Sequence, residues 1–423
     1  MPRAKTIDEA VDHFLEDLIA TNEKILTGME HMLSVEEIDV DQTPKTLLYQ
    51  EDRMRLFHYD PIVDKPHSMP ILITYALVNR QYMMDLQSDR SLIHNLLSMG
   101  MDIYLIDWGY PTKMDRYVTL EDYILGYMDR AVDRIRRDSG HDRITMLGVC
   151  QGGTFSVIYT ALKQEKVQNL VCMVTPVDFH VNDGLLNVWA RYLDVDNIVD
   201  TFGVVPGDFM NLGFLMLKPF QLMLDKYVGF LSNLDNKEVV HNFLRMEKWI
   251  FDSPAQAGEA YRQFLKDMYQ ENKLARGRFE LGGRKVDLKN ITCPVLNIFG
   301  DRDHLVPPSS SRPLTHLVGS QDTTEMSFPI GHIGIYVSSR SQREIAPNLV
   351  RWVKDRSATP ESHEQTTQRS RKKSSAQSPK RPTHQPKRKA TKRNTGSTAK
   401  HTKKHNEKGP RKPSQKRATP KPM

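Results

Sequence analysis

The stretch Leu147-Gly148-Val149-Cys150-Gln151-Gly152-Gly153 sets one cysteine among glycines directly after the apolar run Ile144 to Leu147. It follows the pattern G-x-S-x-G with cysteine in place of serine, in which a strand turns sharply into a helix and presents one reactive side chain. Glycine suits such a turn because a Cβ would obstruct both the strained backbone and the close packing of helix on strand. Taken alone, the stretch is also compatible with a Gly-rich turn around a buried cysteine, so the chain must supply partners. In elbow enzymes these follow in the order nucleophile, carboxylate, histidine. The apolar run Val295 to Phe299 leads into Gly300-Asp301-Arg302-Asp303-His304, which puts carboxylates on the loop after a strand. Asp303 is the preferred acid, with Asp301 the alternative, and His304 reads as a loop residue supporting the acid. Phe328-Pro329-Ile330-Gly331-His332-Ile333-Gly334 then sets a histidine between glycines just past the last strand, where the base belongs.

The chemistry assigns the roles. A thiol becomes a nucleophile as thiolate, so Cys150 needs His332 to take its proton, and the start of a helix favours the anion. Asp303 would hold the imidazole in one tautomer and stabilise its charged form. The oxyanion would be held by the backbone N–H of Gln151 and by one from the loop after Ile71 to Leu77, assigned to Val78. Passing an acyl group from a thioester to a cysteine is close to energy-neutral, so the acyl-enzyme keeps enough drive to acylate an alcohol. That favours transfer from a coenzyme A thioester, with a cysteine thioesterase or related hydrolase as the alternative. With water excluded, a substrate hydroxyl deprotonated by His332 is the natural acceptor. No cofactor is expected, CoA being the leaving group. No metal site is expected either, because Cys150, Cys172 and Cys293 are too scattered for a ligand set or a disulfide framework.

These residues need a scaffold that brings strand ends together. Ile71 to Leu77, Ile103 to Trp108, Ile144 to Val149, Asn169 to Val177, Val295 to Phe299 and Thr324 to Phe328 read as strands, dense in apolar residues as in a sheet covered on both faces. Between them run helical patterns, such as Leu120, Ile124, Tyr127, Ala131 and Ile135, introduced by Thr119-Leu120-Glu121-Asp122 and ended by Gly140. The alternation predicts an α/β fold with a mostly parallel sheet. Residues 178–290 break the rhythm with aromatic-rich helical runs, including Trp189, Phe202, Phe209 and Trp249, and read as a helical cap over the active face. Residues 1–60 read as an N-terminal helical segment. It opens at the capping box Thr6-Ile7-Asp8-Glu9, and its apolar face is expected to pack on the main domain of residues 61–356.

The charge is split unevenly. Of 59 Lys+Arg and 52 Asp+Glu, residues 357–423 hold 20 and 3, so the overall +7 is a tail of +17 on a body of 39−49=−10. The tail contains no Val, Leu, Ile, Phe, Tyr or Trp and is expected to be disordered, because it cannot bury enough apolar surface to offset its ordering entropy. Such a segment could bind DNA or polyphosphate through its phosphates, without reading sequence. The N-terminus lacks a signal peptide's apolar core, and no run is long enough to span a bilayer, so a cytoplasmic protein is expected.

Several of these stretches together resemble the polyhydroxyalkanoate synthases. They are the cysteine elbow, Thr74-Tyr75-Ala76-Leu77-Val78-Asn79-Arg80, Tyr104-Leu105-Ile106-Asp107-Trp108-Gly109-Tyr110, Val174-Thr175-Pro176-Val177-Asp178-Phe179, Asp303-His304-Leu305-Val306-Pro307 and Gly331-His332-Ile333-Gly334. Phe243 to Pro254 looks like the shorter, class III catalytic subunit. The resemblance runs from about Leu33 to Trp352 and leaves out the tail, since subunits of this class usually stop near the position of Asp355. It implies an α/β-hydrolase fold and polymerisation of (R)-3-hydroxyacyl-CoA, typically 3-hydroxybutyryl-CoA, with release of CoA. Cys150, Asp303 and His332 match the family's catalytic positions, and in that family the aspartate is proposed to help activate the 3-hydroxyl. The resemblance further implies a second, noncatalytic subunit of the E type, a homodimer and a place at the surface of polyester granules.

Overall fold

The computed structural model describes residues 16, 19–20, 23–27, 29–34, 38–218 and 226–357. The Thr6–Glu9 capping box and the basic tail beyond Ser357 lie outside the described residues.

The strong β-formers of the chain pair into one eight-stranded sheet. Its strands are β1 (Lys45–Glu51), β2 (Met54–Tyr59), β3 (Pro70–Thr74), β4 (Asp102–Asp107), β5 (Ile144–Val149), β6 (Val167–Met173), β7 (Val295–Gly300) and β8 (Thr323–Phe328). Their spatial order is β1-β2-β4-β3-β5-β6-β7-β8. Pairings from β4 through β8 are parallel, while β1 and β2 add an antiparallel edge. The six strands expected from the apolar runs are all present. The first and the fourth end earlier than expected, because Tyr75 to Leu77 and Val174 to Val177 leave the sheet for the loops that build the site.

Every residue of β3 and β5 is buried, as expected of strands covered on both faces. Leu72 and Met146 pack beneath α2 (Asp129–Ser139) and α3 (Gln151–Leu162), with Ile135, Phe155 and Ile158. Ile71, Ile73 and Leu147 face the opposite way onto Leu92 and Leu96 of α1 (Leu92–Ser98) and onto Leu349 and Val353 near the C-terminal end of the described chain. Removing each such side chain from water contributes roughly 1.5–3 kcal/mol. The capping box at Thr119 forms as expected, Asp122 N donating to Thr119 Oγ1 at 3.2 Å and Thr119 N to the Asp122 carboxylate at 2.8 Å. Gly140, at φ 71°, closes α2.

The N-terminal expectation needs correction. Residues 1–60 are not one helical segment: the described residues between 16 and 33 are helical, but Lys45 to Tyr59 form the β1–β2 hairpin. Alternating burial along β2 puts Met54 and Leu56 into the core, and Asp52 makes the turn at φ 48°. Of the helix's expected apolar face, Ile7, Val11, Phe14 and Leu18 lie outside the described residues, while Ile25 and Met29 are exposed and Met32 is half-buried. Ile19, Leu26 and Leu33 are 59%, 62% and 81% exposed, and past the helix Lys248 Nζ donates to Ile38 O and Arg245 Nε to Asp39 O.

Between β6 and β7 the chain forms α4 (Leu185–Ala190), α5 (Val195–Phe202), α6 (Gly207–Met216), α7 (Lys226–Leu231), α8 (Lys237–Phe251) and α9 (Gly258–Gln263). This is the interval read from sequence as a cap. Among the described residues, no helix is long and apolar enough to cross a membrane.

Candidate active site

Cys150 sits at the turn from β5 into α3 with φ 54° and ψ −123°, and its N–H donates to Met173 O at 2.9 Å. A non-glycine residue in this region is strained by about 1–3 kcal/mol and persists only where its surroundings hold it. Here the surroundings are the glycines. A Cβ on Gly148 would overlap Gly153 and Ser156, one on Gly152 the carbonyl oxygens of Thr74 and Tyr75, and one on Gly153 the Thr175 side chain. The elbow is therefore pressed against the ends of β3 and β6, with its cysteine half-exposed.

The loops after β7 and β8 bring Asp303 and His332 together. Asp303 Oδ2 accepts from His332 Nδ1 at 2.6 Å, while Oδ1 accepts from the backbone N–H groups of Leu305 and Val306, both at 2.9 Å. Asp301 lies exposed one turn earlier, its N–H bonded to Phe328 O. His304 gives Asp303 no hydrogen bond among the described residues, so the aspartate's support is backbone rather than the neighbouring imidazole.

Burial disfavours a charged His332, but the Asp303 carboxylate and Cys150 outweigh it, raising the imidazole from its ordinary 6.5 to about 10. Cys150 interacts with it both as a charge and as a hydrogen-bond partner. A histidine whose affinity for protons rises on folding adds stability that is fully present below its unfolded pKa and lost as pH rises through the folded one. Wild type should therefore exceed His332→Gln in stability below about pH 6.5, with the difference fading towards pH 10. Denaturant midpoints measured across that range check this; a difference that grows with pH would contradict the arrangement.

The helix start leaves the Gln151 N–H without an intrahelical partner. Its side chain does work the sequence did not reveal: Gln151 Oε1 accepts from Leu77 N at 3.0 Å, tying the elbow to the loop after β3. The Leu77 N–H is thereby occupied, and the next one, Val78, has no protein acceptor among the described residues. Tyr75 and Tyr269 also gather near the thiol. Burial first, and Cys150 as a charge second, push both phenols well above their ordinary range. Tyr75 lies within a motif, but nothing in the sequence marked Tyr269. Among the described residues, no group of three or more His, Cys, Asp or Glu is placed to hold a metal ion.

A sheet of this order, with a cysteine at the turn after β5 and a bonded histidine and carboxylate on the loops after β8 and β7, defines an enzyme of the α/β-hydrolase fold. Residues 70–339 match the family model described as alpha/beta hydrolase fold, and residues 3–96 that described as the N-terminus of poly-beta-hydroxybutyrate polymerase (PhaC). The chain is 53% identical over 352 residues to the poly(3-hydroxyalkanoate) polymerase subunit PhaC of Allochromatium vinosum, an alignment that takes in 83% of this chain and 99% of the relative. The subunits of the same name from Thiocystis violacea and Synechocystis are 49% and 51% identical, covering 84% and 81% of this chain and 100% and 93% of theirs. The chain belongs to the poly(3-hydroxyalkanoate) polymerase family.

Proposed function

We propose that this chain polymerises (R)-3-hydroxyacyl-CoA, with 3-hydroxybutyryl-CoA as the principal monomer, into polyester with release of CoA. The observation that carries the reading is the cysteine at the elbow beside a histidine bonded to a buried carboxylate. The Cys150 thiolate attacks the thioester carbonyl, and the N–H groups of Gln151 and Val78 hold the oxyanion. The C–S bond to CoA breaks, and the departing thiolate takes the proton that His332 had received from Cys150. His332 then removes the proton of an incoming 3-hydroxyl, which attacks the acyl-cysteine; the C–S bond to Cys150 breaks as the ester forms, and the released thiolate takes the proton back from His332. Both Asp303 oxygens are occupied and its side chain has no exposed surface, which supports a role through His332 rather than on the substrate hydroxyl. The purified chain given 3-hydroxybutyryl-CoA should release CoA and turn turbid as polymer separates. Free monomer acid as the only product would establish a thioesterase instead.

The class III assignment, a homodimer and a noncatalytic second subunit belong to the same reading. Support comes from apolar surface on the helix ending near Leu33 and on the cap, where Tyr192, Leu212 and Phe251 are exposed. A polyester granule surface in the cytoplasm is the corresponding location. The tail, residues 357–423, is proposed to hold DNA or polyphosphate through its 20 basic residues. Deleting it should leave turnover intact and abolish salt-sensitive retention on immobilised DNA or polyphosphate. Retention that survives the deletion would exclude this role.

A further inference from the structure

We propose that Trp249, on the cap helix α8, is a positioning residue that sets the oxyanion hole. The inference rests on the reading of Cys150 as nucleophile and of Val78 as the second oxyanion donor. The backbone of the loop Tyr75 to Arg80, which carries Val78, is tied to side chains at three points among the described residues. Two come from the α/β body: Trp108 Nε1 donates to Tyr75 O at 2.9 Å, and Leu77 N to Gln151 Oε1 at 3.0 Å. The third comes from the cap. Trp249 Nε1 donates to Arg80 O at 2.7 Å, and Asn79 Nδ2 returns a bond to Trp249 O at 3.5 Å. Val78 lies between the second point and the third.

The far end of the loop needs that hold. Asn79 has φ 56°, a left-handed conformation that asparagine tolerates better than most residues but that still must be enforced. The Arg80 side chain is fixed to the body by a two-pronged pair with Asp107 at 2.9 and 3.0 Å, and it stacks 4.4 Å from the Tyr110 ring. Asp252, just past the end of α8, accepts from Tyr82 at 3.0 Å and Tyr110 at 2.6 Å, fastening the same helix end to both neighbouring loops. Trp249 is thus the point at which the cap grips the backbone around Val78. An oxyanion donor acts only within about 2.7–3.1 Å of the developing charge, and misplacement of about 1 Å costs on the order of 100-fold. Seating α8 is therefore a condition for the acylation step.

The alternative role for Trp249 is to fill the core, and a reaction that develops no oxyanion separates the two. In Trp249→Phe, first-turnover CoA release from 3-hydroxybutyryl-CoA, followed by rapid quench, should fall roughly 10- to 100-fold. Alkylation of Cys150 by iodoacetamide, a displacement at carbon, should stay within about twofold of wild type. Asn79→Gly accepts φ 56° without strain and removes only the amide, so it should show the same split, smaller, in a chain with no core volume lost. Acylation within about twofold of wild type in Trp249→Phe, or equal losses in acylation and alkylation in either variant, would overturn the inference. Wild-type enzyme that keeps turning over with Cys150 fully alkylated would remove the reading beneath it, and the inference with it.

Discussion

Replacing Cys150 by alanine is expected to abolish CoA release, a fall of roughly four to six orders of magnitude, as when the nucleophile of other covalent enzymes is removed. No other thiol can stand in. Cys172 and Cys293 are buried in the core, and burial pushes their thiols up to about 12 and about 11, so at neutral pH almost none of either is thiolate. Alanine at position 150 keeps the backbone of the elbow and removes the sulfur with its interaction with His332, so the variant should still unfold in one cooperative transition, with a midpoint shifted only by that lost interaction. Stopped CoA release in a folded protein is then a statement about chemistry. Residual turnover above about 1% of wild type at any enzyme concentration would take the elbow out of the mechanism.

The second large effect separates two neighbouring carboxylates. Asp303→Asn keeps the size of the side chain but offers His332 an amide, which can stabilise the wrong tautomer and cannot balance an imidazolium; a loss of about 10⁴ in turnover is expected. Asp301→Asn changes an exposed group that does not touch His332 and should stay within about threefold of wild type. The two half-reactions sharpen the result. If Asp303 acts through His332, the asparagine variant loses acylation and elongation together. If it acts on the 3-hydroxyl, single-turnover CoA release survives while polymer growth stops. A larger loss at Asp301 than at Asp303 would reverse the assignment.

Much of the site was legible because its signals are local. Glycines around Cys150, a carboxylate loop after one apolar run and a glycine-flanked histidine after the next are patterns within a few residues. The physics of a sharp turn forces them there: the structure shows each elbow glycine against a neighbour that leaves no room for a Cβ. The central strands were legible for the same reason, as short, dense apolar runs. The β1–β2 hairpin was not, since its turn at Asp52-Arg53 lacks the usual Asn-Gly or Asp-Gly signal, and only three of the six residues of β2 and none of β1 are buried. The N-terminal segment was read as helical throughout because the periodicity up to Met32 was carried on into Lys45 to Tyr59, where the residues alternate as in strands.

The sequence by itself thus determined the α/β order, the cysteine at its elbow and the sites of its partners, all of them short-range or periodic features. Only the tertiary structure bonded Asp303 rather than Asp301 to His332, spent the Leu77 N–H on Gln151, and tied α8 to the loop that carries Val78 through Trp249. Those contacts join residues 29, 74 and 169 positions apart. No local propensity encodes such pairings. They follow from how the sheet orders its strands and from the need of each buried donor and acceptor to find a partner.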